Sequence, residues 1–318
     1  MGKLKSFVKG AAVTGAVAGG ALFAAGNVFT YLSLTPNGVK KLNGGKPIDP
    51  VINEIYANSV ENRIGGEWFD EKDPERLFTF NKYSDCLHAY YIKADEPSDI
   101  YVIDCHGFTS RPRDMGIYAK RFNEQGFNVL LPCLRGHDNS EHNYIAMGWD
   151  DRLDIVEWIS YIIEQNPNAK IILHGVSMGA ATVMMTTGEE LPANVVCAVE
   201  DSGYTSVWDE FCSQITKVFH LPPFPFVDAA NLSTRLYLGF DLKRASALEQ
   251  VKRSKTPTLF IHGDADTFVP FSMLQPLYDA AACEKEMLAF SGVPHAVSAL
   301  VEPERYWSTV NAFIAKYI

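Results

Sequence analysis

Residues 170–179 read K-I-I-L-H-G-V-S-M-G, and this stretch decides how the chain folds. An apolar run typical of a buried strand leads directly into the pattern G-x-S-x-G, and the small residues 180–182 continue it as the start of a helix. Gly175 and Gly179 leave room for the sharp turn between the two elements. Such a turn holds a serine hydroxyl exposed at the positive end of a helix, so we interpret Ser177 as a nucleophile.

Apolar, β-branched runs alternate with amphipathic stretches of helical length on both sides of this motif. Core strands are predicted at 100–105, 127–132, 171–174, 195–199 and 258–262, and helices at 113–125, 150–164 and 178–189. This alternation is typical of an α/β protein with a mostly parallel, doubly wound sheet. The stretches 77–84 and 86–93 instead alternate residue by residue, which predicts an antiparallel hairpin at the sheet edge.

An activated serine also needs a base and an acid that orients the base, and in this type of fold both follow the serine along the chain. Asp266 comes directly after the predicted strand that ends at His262, and His295 follows a further strand predicted at 285–290. Loops at strand ends can bring such distant residues together. Two other acids compete with Asp266 for the orienting role, Asp264 in the same turn and Asp201 after the strand 195–199.

Acyl transfer further requires two backbone N–H groups that bind the oxyanion. One is predicted at Met178, directly after the nucleophile. The other is predicted at Phe108, in the loop after strand 100–105, where Gly107 lets a substrate approach the backbone. His106 in the same loop is interpreted as a residue that orders the loop.

One interval interrupts the alternation of strands and helices. Residues 202–250 are too many for a crossover connection and too apolar for a loop, so we predict a helical cap inserted over the carboxyl edge of the sheet. Its aromatic side chains are candidates to bind the substrate, namely Trp208, Phe211, Phe224 and Phe226. The alternative is an ordinary helical extension that buries these aromatics.

The amino-terminal part of the chain differs in composition from the rest. From Gly10 to Val39 it has no acidic or basic side chain, and Lys3, Lys5 and Lys9 precede this stretch. We therefore predict a transmembrane anchor within residues 1–34, with the catalytic domain outside the cell membrane. A cleaved signal peptide, and hence a secreted enzyme, is the alternative. A linker is predicted at 35–50 and the catalytic domain at 51–318.

Charge and cysteine usage exclude several function classes. The chain has 28 basic and 38 acidic side chains, and all the acids follow position 48. Because such an acidic body repels phosphate backbones, no nucleic-acid partner is expected. The six cysteines are dispersed, and neither they nor His137 and His142 have the spacing of a zinc site. We expect no metal and no cofactor.

Several motifs together resemble the α/β-hydrolase superfamily, and within it the branch of the S33 serine aminopeptidases and monoacylglycerol lipases. They are H-G-F-T-S at 106–110, L-R-G-H-D-N-S at 134–140, G-V-S-M-G at 175–179, H-G-D-A-D-T-F-V-P at 262–270 and V-P-H at 293–295. The chain is also similar to membrane-anchored hydrolases of Gram-positive bacteria. This resemblance implies a bacterial serine hydrolase with an α/β-hydrolase fold, while the substrate is left open.

We therefore predict an enzyme that cleaves small-molecule carboxylic esters with an apolar acyl or alcohol group. One alternative is an exopeptidase of the S33 type, which needs an acid in the cap to hold a substrate amine, with Asp209, Glu210, Asp228 and Asp241 as candidates. The other is a membrane-tethered binding protein that has the fold without the chemistry. The sequence does not reveal the oligomeric state.

Overall fold

The computed structural model describes residues 19–43 and 49–318. Within these residues eight strands form one sheet. The strands, in chain order, are β1 (Glu75–Phe80), β2 (Cys86–Ile92), β3 (Ile100–Cys105), β4 (Asn128–Pro132), β5 (Lys170–Val176), β6 (Val195–Asp201), β7 (Thr258–Gly263) and β8 (Lys285–Phe290).

Helices precede the sheet, connect its strands and follow its last strand. The first four are α1 (19–34), α2 (Pro36–Asn43), α3 (Pro50–Asn58) and α4 (Val60–Lys72). The helices within the sheet region are α5 (Gly116–Asn123), α6 (Asp151–Gln165), α7 (Met178–Thr187), α8 (Val207–Phe219), α9 (Pro223–Tyr237), α10 (Ala247–Val251) and α11 (Leu274–Ala280). The last two are α12 (Ser298–Val301) and α13 (Pro303–Ile314).

The strand order is β1-β2-β4-β3-β5-β6-β7-β8. Strands β1, β2 and β4 pair antiparallel, and all other neighbours pair parallel. This confirms the predicted α/β fold with a mostly parallel sheet and an antiparallel hairpin at its edge. The carboxyl ends of the parallel strands therefore meet at one edge, where ligands bind in open α/β folds.

Both faces of the sheet are covered, which explains why its central strands read as continuous apolar runs. Along β5, Ile171 and Leu173 point into one core cluster while Ile172 and Val176 point into the other. Helices α6 and α7 complete the first core, and α5 and α13 complete the second. The sheet is thus held rigidly between two apolar layers, and its carboxyl edge is a fixed platform.

Helix α1 packs on the inserted cap, which consists of α8, α9 and α10. The Thr30 hydroxyl donates to the Ala230 carbonyl at 3.3 Å, and the Phe29 ring lies edge-on to Phe211 with centroids 5.4 Å apart. Leu34 is fully buried. The second half of the predicted anchor is therefore part of the protein's packing, whereas its first half, residues 1–18, lies outside the described residues.

Over residues 19–43 and 49–318, no helix combines the length and the apolar character that a membrane crossing needs. The membrane location stays a prediction. In the region predicted as a linker, residues 36–43 form helix α2, and residues 44–48 lie outside the described part of the chain.

A buried ion pair fixes the start of α6 against the loop after β4. Arg135 Nε donates to Asp154 Oδ2 at 2.6 Å and Arg135 Nη2 donates to Asp154 Oδ1 at 2.9 Å, with both side chains less than a tenth exposed. The Arg135 amide also donates to Asp151 Oδ1 at 2.8 Å. Asp151 and Asp154 therefore tie the first turn of α6 to the loop that carries Arg135.

We predict that Asp154→Ala lowers the free energy of unfolding by about 3–5 kcal/mol, because the buried guanidinium loses its bidentate partner and keeps only the longer contact of 3.4 Å with the more exposed Asp85. Urea denaturation measures the change. The matched control is Glu67→Ala, which breaks a largely exposed pair with Arg63 and should cost less than about 1 kcal/mol. Equal losses in the two variants would contradict this account of the buried pair.

Candidate active site

Ser177 stands at the turn between β5 and α7 with a strained backbone. Its φ of 57° and ψ of −115° lie in a region of backbone conformation that residues other than glycine rarely adopt. The strain persists because α7 is pressed against its neighbours: a Cβ built on Gly179 would lie 2.0 Å from the Cys105 carbonyl oxygen. A Cβ built on Gly175 would lie 2.3 Å from the Gly179 oxygen. Both motif glycines are thus sterically required.

Three side chains from three loops meet at this edge of the sheet. His295 Nε2 lies 2.7 Å from Ser177 Oγ, and His295 Nδ1 lies 2.6 Å from Asp266 Oδ2. Because a carboxylate only accepts, the bond at Nδ1 assigns the proton to that nitrogen and leaves Nε2 free to accept the serine proton. The structure therefore brings together the predicted nucleophile, base and acid in one hydrogen-bonded chain.

Asp266 is held as a charged acceptor. Its Oδ1 accepts the amides of Phe268 and Val269, each at 2.9 Å, and its Oδ2 lies 3.0 Å from His262 Nε2. Burial pushes the pKa of this carboxyl up, but the charge of His295 and the hydrogen bonds from His262 and His295 outweigh it, so the pKa is lowered. A charged carboxylate can both orient His295 and stabilise its cation.

The two rival acids have other partners. Asp264 Oδ1 accepts the Gly292 amide at 2.6 Å and so ties the Asp266 loop to the His295 loop. Asp201 Oδ1 accepts the Ser202 hydroxyl at 2.9 Å, and burial raises the pKa of Asp201. Of the three candidate acids, Asp266 is the one within hydrogen-bond reach of His295.

The loop after β3 lies directly against the nucleophile. A Cβ on Gly107 would be 3.5 Å from Ser177 Cβ, so this residue leaves space where a substrate would enter. The amides of Phe108 and Met178 have no acceptor within the described residues. Both predicted donors are therefore free to bind an incoming oxygen.

Two neutral histidines order this loop from behind. His106 accepts the Leu134 amide at 3.2 Å, and His137 accepts the Thr109 amide at 3.2 Å. Burial lowers the pKa of His106 to about 4 and that of His137 to about 3. Since both rings stay neutral at neutral pH, they act as hydrogen-bonding supports, as predicted for His106.

Ser177 and His295 open into a pocket of about 340 Å³. Sequence reasoning missed one of its walls, which helix α3 provides through Ile52, Asn53 and Tyr56. The Tyr56 hydroxyl donates to the Ala296 carbonyl at 2.7 Å, next to the catalytic histidine. No motif marks α3, and its sequence lies where the predicted linker meets the domain. Phe268 also lines the pocket, and its ring centroid lies 5.1 Å from that of His295.

The cap aromatics predicted to bind the substrate lie elsewhere, and that prediction needs correction. Trp208, Phe211, Phe224 and Phe226 are absent from the pocket lining formed by the described residues. Phe211 is buried against Phe29 of α1, Lys243 lies 3.9 Å over the Trp208 ring, and Phe224 is 75% exposed. For Phe211 the physical reason is that α1 packs on the cap and covers this ring.

One other cluster has the donor set of a metal site. Cys86 and His88 share a face of β2, and with Glu141 they bring three ligand atoms within 4.8 Å of one another. The spacing along the chain does not indicate this cluster, because Glu141 comes from a distant loop. His88 Nε2 lies 3.5 Å from the largely exposed Glu141 carboxylate, so a contact between imidazole and carboxylate accounts for their proximity without a metal ion.

Comparison with known proteins agrees with this geometry. Residues 96–222 match the family model described as serine aminopeptidase, S33. The esterase Pf2001 of Pyrococcus furiosus has a similar structure, with a TM-score of 0.61 and 23% identity, over 78% of this chain and 95% of the esterase. The chain has the α/β-hydrolase fold and resembles the S33 serine hydrolases. The resemblance predicted from the motifs is thereby confirmed.

Two curated relatives also match this chain. The Bacillus subtilis protein named "Uncharacterized protein YqkD" is 23% identical over 249 residues, which cover 78% of this chain and 81% of the relative. The lysophosphatidylserine lipase ABHD12 of Danio rerio is 27% identical over 205 residues. That alignment covers 62% of this chain and 51% of the lipase, so it spans about half the lipase's length. Together with the family match, these findings support a serine hydrolase.

We predict that Gly179→Ala slows the reaction of Ser177 with a fluorophosphonate by at least about 100-fold. The added methyl would meet the Cys105 carbonyl and displace the nucleophile, and a shift of about 1 Å can cost that much. Mass spectrometry of the labelled protein gives the rate. Gly20→Ala is the control, since a Cβ there meets nothing within 4 Å. Unchanged labelling of the Gly179 variant would contradict the steric account.

Proposed function

We propose that this chain is a serine hydrolase that cleaves carboxylic esters with an apolar acyl or alcohol group. The observation that carries the proposal is the hydrogen-bonded chain from Ser177 through His295 to Asp266, placed at an open pocket. The relative named as a lysophosphatidylserine lipase and the esterase of similar fold support this substrate class.

The reaction follows from the positions of the hydrogen-bonding groups. Ser177 Oγ attacks the ester carbonyl carbon while His295 Nε2 takes the hydroxyl proton, and Asp266 stabilises the resulting imidazolium. The amides of Phe108 and Met178 bind the carbonyl oxygen as it becomes negative. The proton on Nε2 passes to the leaving alcohol, which departs. Water, deprotonated by the same nitrogen, then releases the acid and restores Ser177.

Ester cleavage fits the pocket better than aminopeptidase action. An exopeptidase needs a carboxylate in the pocket to hold the substrate amine, and the four acids proposed in the cap lie outside the pocket lining and contact other groups of the cap. Asp209 accepts from Thr205 and Ser206, and Glu210 accepts from Gln214. Asp228 lies 3.5 Å from Lys243, and Asp241 lies 3.6 Å from Arg235.

The two acids that do line the pocket are also occupied. Asp49 Oδ1 accepts the amides of Val51 and Ile52 as the N-cap of α3. Asp114 accepts the Arg111 amide at 2.9 Å and pairs with the guanidinium of the same residue. Both carboxylates already accept hydrogen bonds from the chain, and the pocket's apolar side chains, such as Ile52 and Phe268, suit an acyl chain.

We predict that wild-type protein reacts with a fluorophosphonate at Ser177, whereas Ser177→Ala does not react and His295→Ala reacts at least about 1,000-fold more slowly, because each loses a part of the catalytic chain. Intact-mass and peptide mass spectrometry measure the labelling. On the same samples, turnover of nitrophenyl esters should exceed that of aminoacyl nitroanilides.

Two results would overturn the proposal. Higher turnover of the nitroanilides would favour the exopeptidase. Folded wild-type protein that never reacts at Ser177 would favour a catalytically silent binding protein.

We further predict that Ile52→Trp, which fills the pocket from its α3 wall, lowers kcat/KM for long-chain nitrophenyl esters about 10- to 100-fold more than for the acetate. Steady-state kinetics across a series of acyl lengths provides the measurement. Ile64→Trp is the matched control, because Ile64 is exposed on α4 and outside the pocket lining. An equal fall for all chain lengths would show that α3 does not contact the acyl group.

A further inference from the structure

Helix α1 lies on the protein surface although apolar side chains occur on all its sides, with Asn27, Thr30 and Ser33 as polar exceptions. One side packs inward, where Gly26, Thr30 and Leu34 are buried. The outward side is also apolar and exposed, and it consists of Ala21, Ala24, Ala25, Val28 and Tyr31. A helix that is hydrophobic on every side is normally buried, so the outward side of α1 needs a cover.

The contacts of α1 show which surface continues this apolar side. Asn27 Oδ1 accepts the Ser233 hydroxyl at 2.6 Å, and the Thr30 hydroxyl donates to the Ala230 carbonyl, so α1 lies directly against α9. The Phe29 ring lies edge-on to Phe219 at the end of α8, with centroids 5.7 Å apart. Both cap helices therefore border α1 directly.

The cap helices expose large apolar side chains beside α1. Together with α1 they form what we call the cap face, defined by Val28, Tyr31, Phe219, Leu232, Leu236 and Tyr237. Leu236 and Tyr237 are 62% and 66% exposed. Exposed apolar side chains gathered on neighbouring helices in this way mark a site of protein or membrane contact.

The charges around the cap face identify its partner. Lys41 Nζ lies 5.3 Å from the centroid of the Tyr31 ring, and Lys40 beside it is exposed. In the sequence, Lys3, Lys5 and Lys9 precede α1, and no acid occurs before Asp49. The remainder of the chain holds 22 basic and 38 acidic side chains. The amino-terminal part is thus the cationic part of an acidic protein.

The acids of the neighbouring cap do not cancel this charge. Asp228 and Asp241 pair with Lys243 and Arg235 respectively. An apolar face with a lysine at the edge of an aromatic ring is complementary to the acyl region and the anionic headgroups of a bilayer.

We propose that the cap face binds the surface of an anionic lipid bilayer, with α1 lying in the plane of the interface. This places residues 19–34 on the membrane and against the cap at the same time. The proposal concerns attachment and does not depend on the proposed ester hydrolysis. It differs from a spanning anchor, in which residues 10–34 would leave the cap and cross the bilayer alone.

Flotation of the full-length chain with phosphatidylcholine–phosphatidylglycerol vesicles tests the proposal. The variant is Leu232→Asp with Leu236→Asp, two exposed changes on the cap face. The matched control is Phe78→Asp with Phe80→Asp, two exposed apolar residues on the edge strand β1. Thermal unfolding followed by circular dichroism establishes that both variants are folded, whether or not the protein cleaves esters.

The cap-face variant should bind these vesicles at least about tenfold more weakly than wild type, equivalent to about 1.4 kcal/mol, while the control binds like wild type. Wild-type binding should fall with added salt and be weaker to pure phosphatidylcholine vesicles, because the lysines contribute. Hydrogen exchange in peptides from α1 and α9 should slow when vesicles are added.

Three results would overturn the proposal. Undiminished binding of the cap-face variant would indicate a spanning anchor. Equal binding of wild type to neutral and anionic vesicles would remove the role of the charges. A wild-type dimer that the cap-face substitutions dissociate would assign the face to a second copy of the chain.

Discussion

The close approach of α7 to β3 is the constraint on which the active site depends. Gly179 meets the Cys105 carbonyl so closely that no side chain fits, and this contact holds Ser177 at a φ of 57°. Such strain costs on the order of 1–3 kcal/mol and persists where surrounding packing over-determines the backbone. The two apolar layers on either side of the sheet provide that packing. The same contact sets the distance between the nucleophile and the loop that holds Phe108.

At the carboxyl edge of the sheet, the surroundings of two buried acids, Glu200 and Asp266, shift their pKa values in opposite directions. Burial raises the pKa of Glu200 to about 8, and the Gly203 amide and the charge of His262 only partly oppose this effect. Asp266 is also buried, yet its two histidine partners lower its pKa. At neutral pH the site therefore holds its negative charge on Asp266, where the imidazolium of His295 forms. Environments that shift the pKa values of neighbouring carboxyl groups in opposite directions are typical of catalytic sites.

Much of the fold and the catalytic chain could be predicted because local signals specify them. Short stretches of sequence are enough to predict the β5–turn–α7 motif, the alternation of strands and helices, and the edge hairpin. Asp266 and His295 could be predicted because they follow strands that end at the same edge of the sheet. The roles of α1 and α3 could not be predicted in this way. The sequence of an apolar helix is similar whether lipid or a protein surface covers the helix. Only the tertiary structure reveals that Phe29 packs against Phe211 and Phe219 of the cap. Tyr56 and Ile52 line the pocket without any motif, because walls depend on long-range contacts.

The central claim is that Ser177 attacks a carbonyl whose oxygen enters the site formed by the Phe108 and Met178 amides. A crystal structure of the phosphonylated protein tests it most directly. The account predicts phosphorus bonded to Ser177 Oγ and a phosphonyl oxygen about 2.7–3.1 Å from both amide nitrogens. A phosphonyl group on another residue, or one on Ser177 whose oxygens contact neither amide, would contradict it.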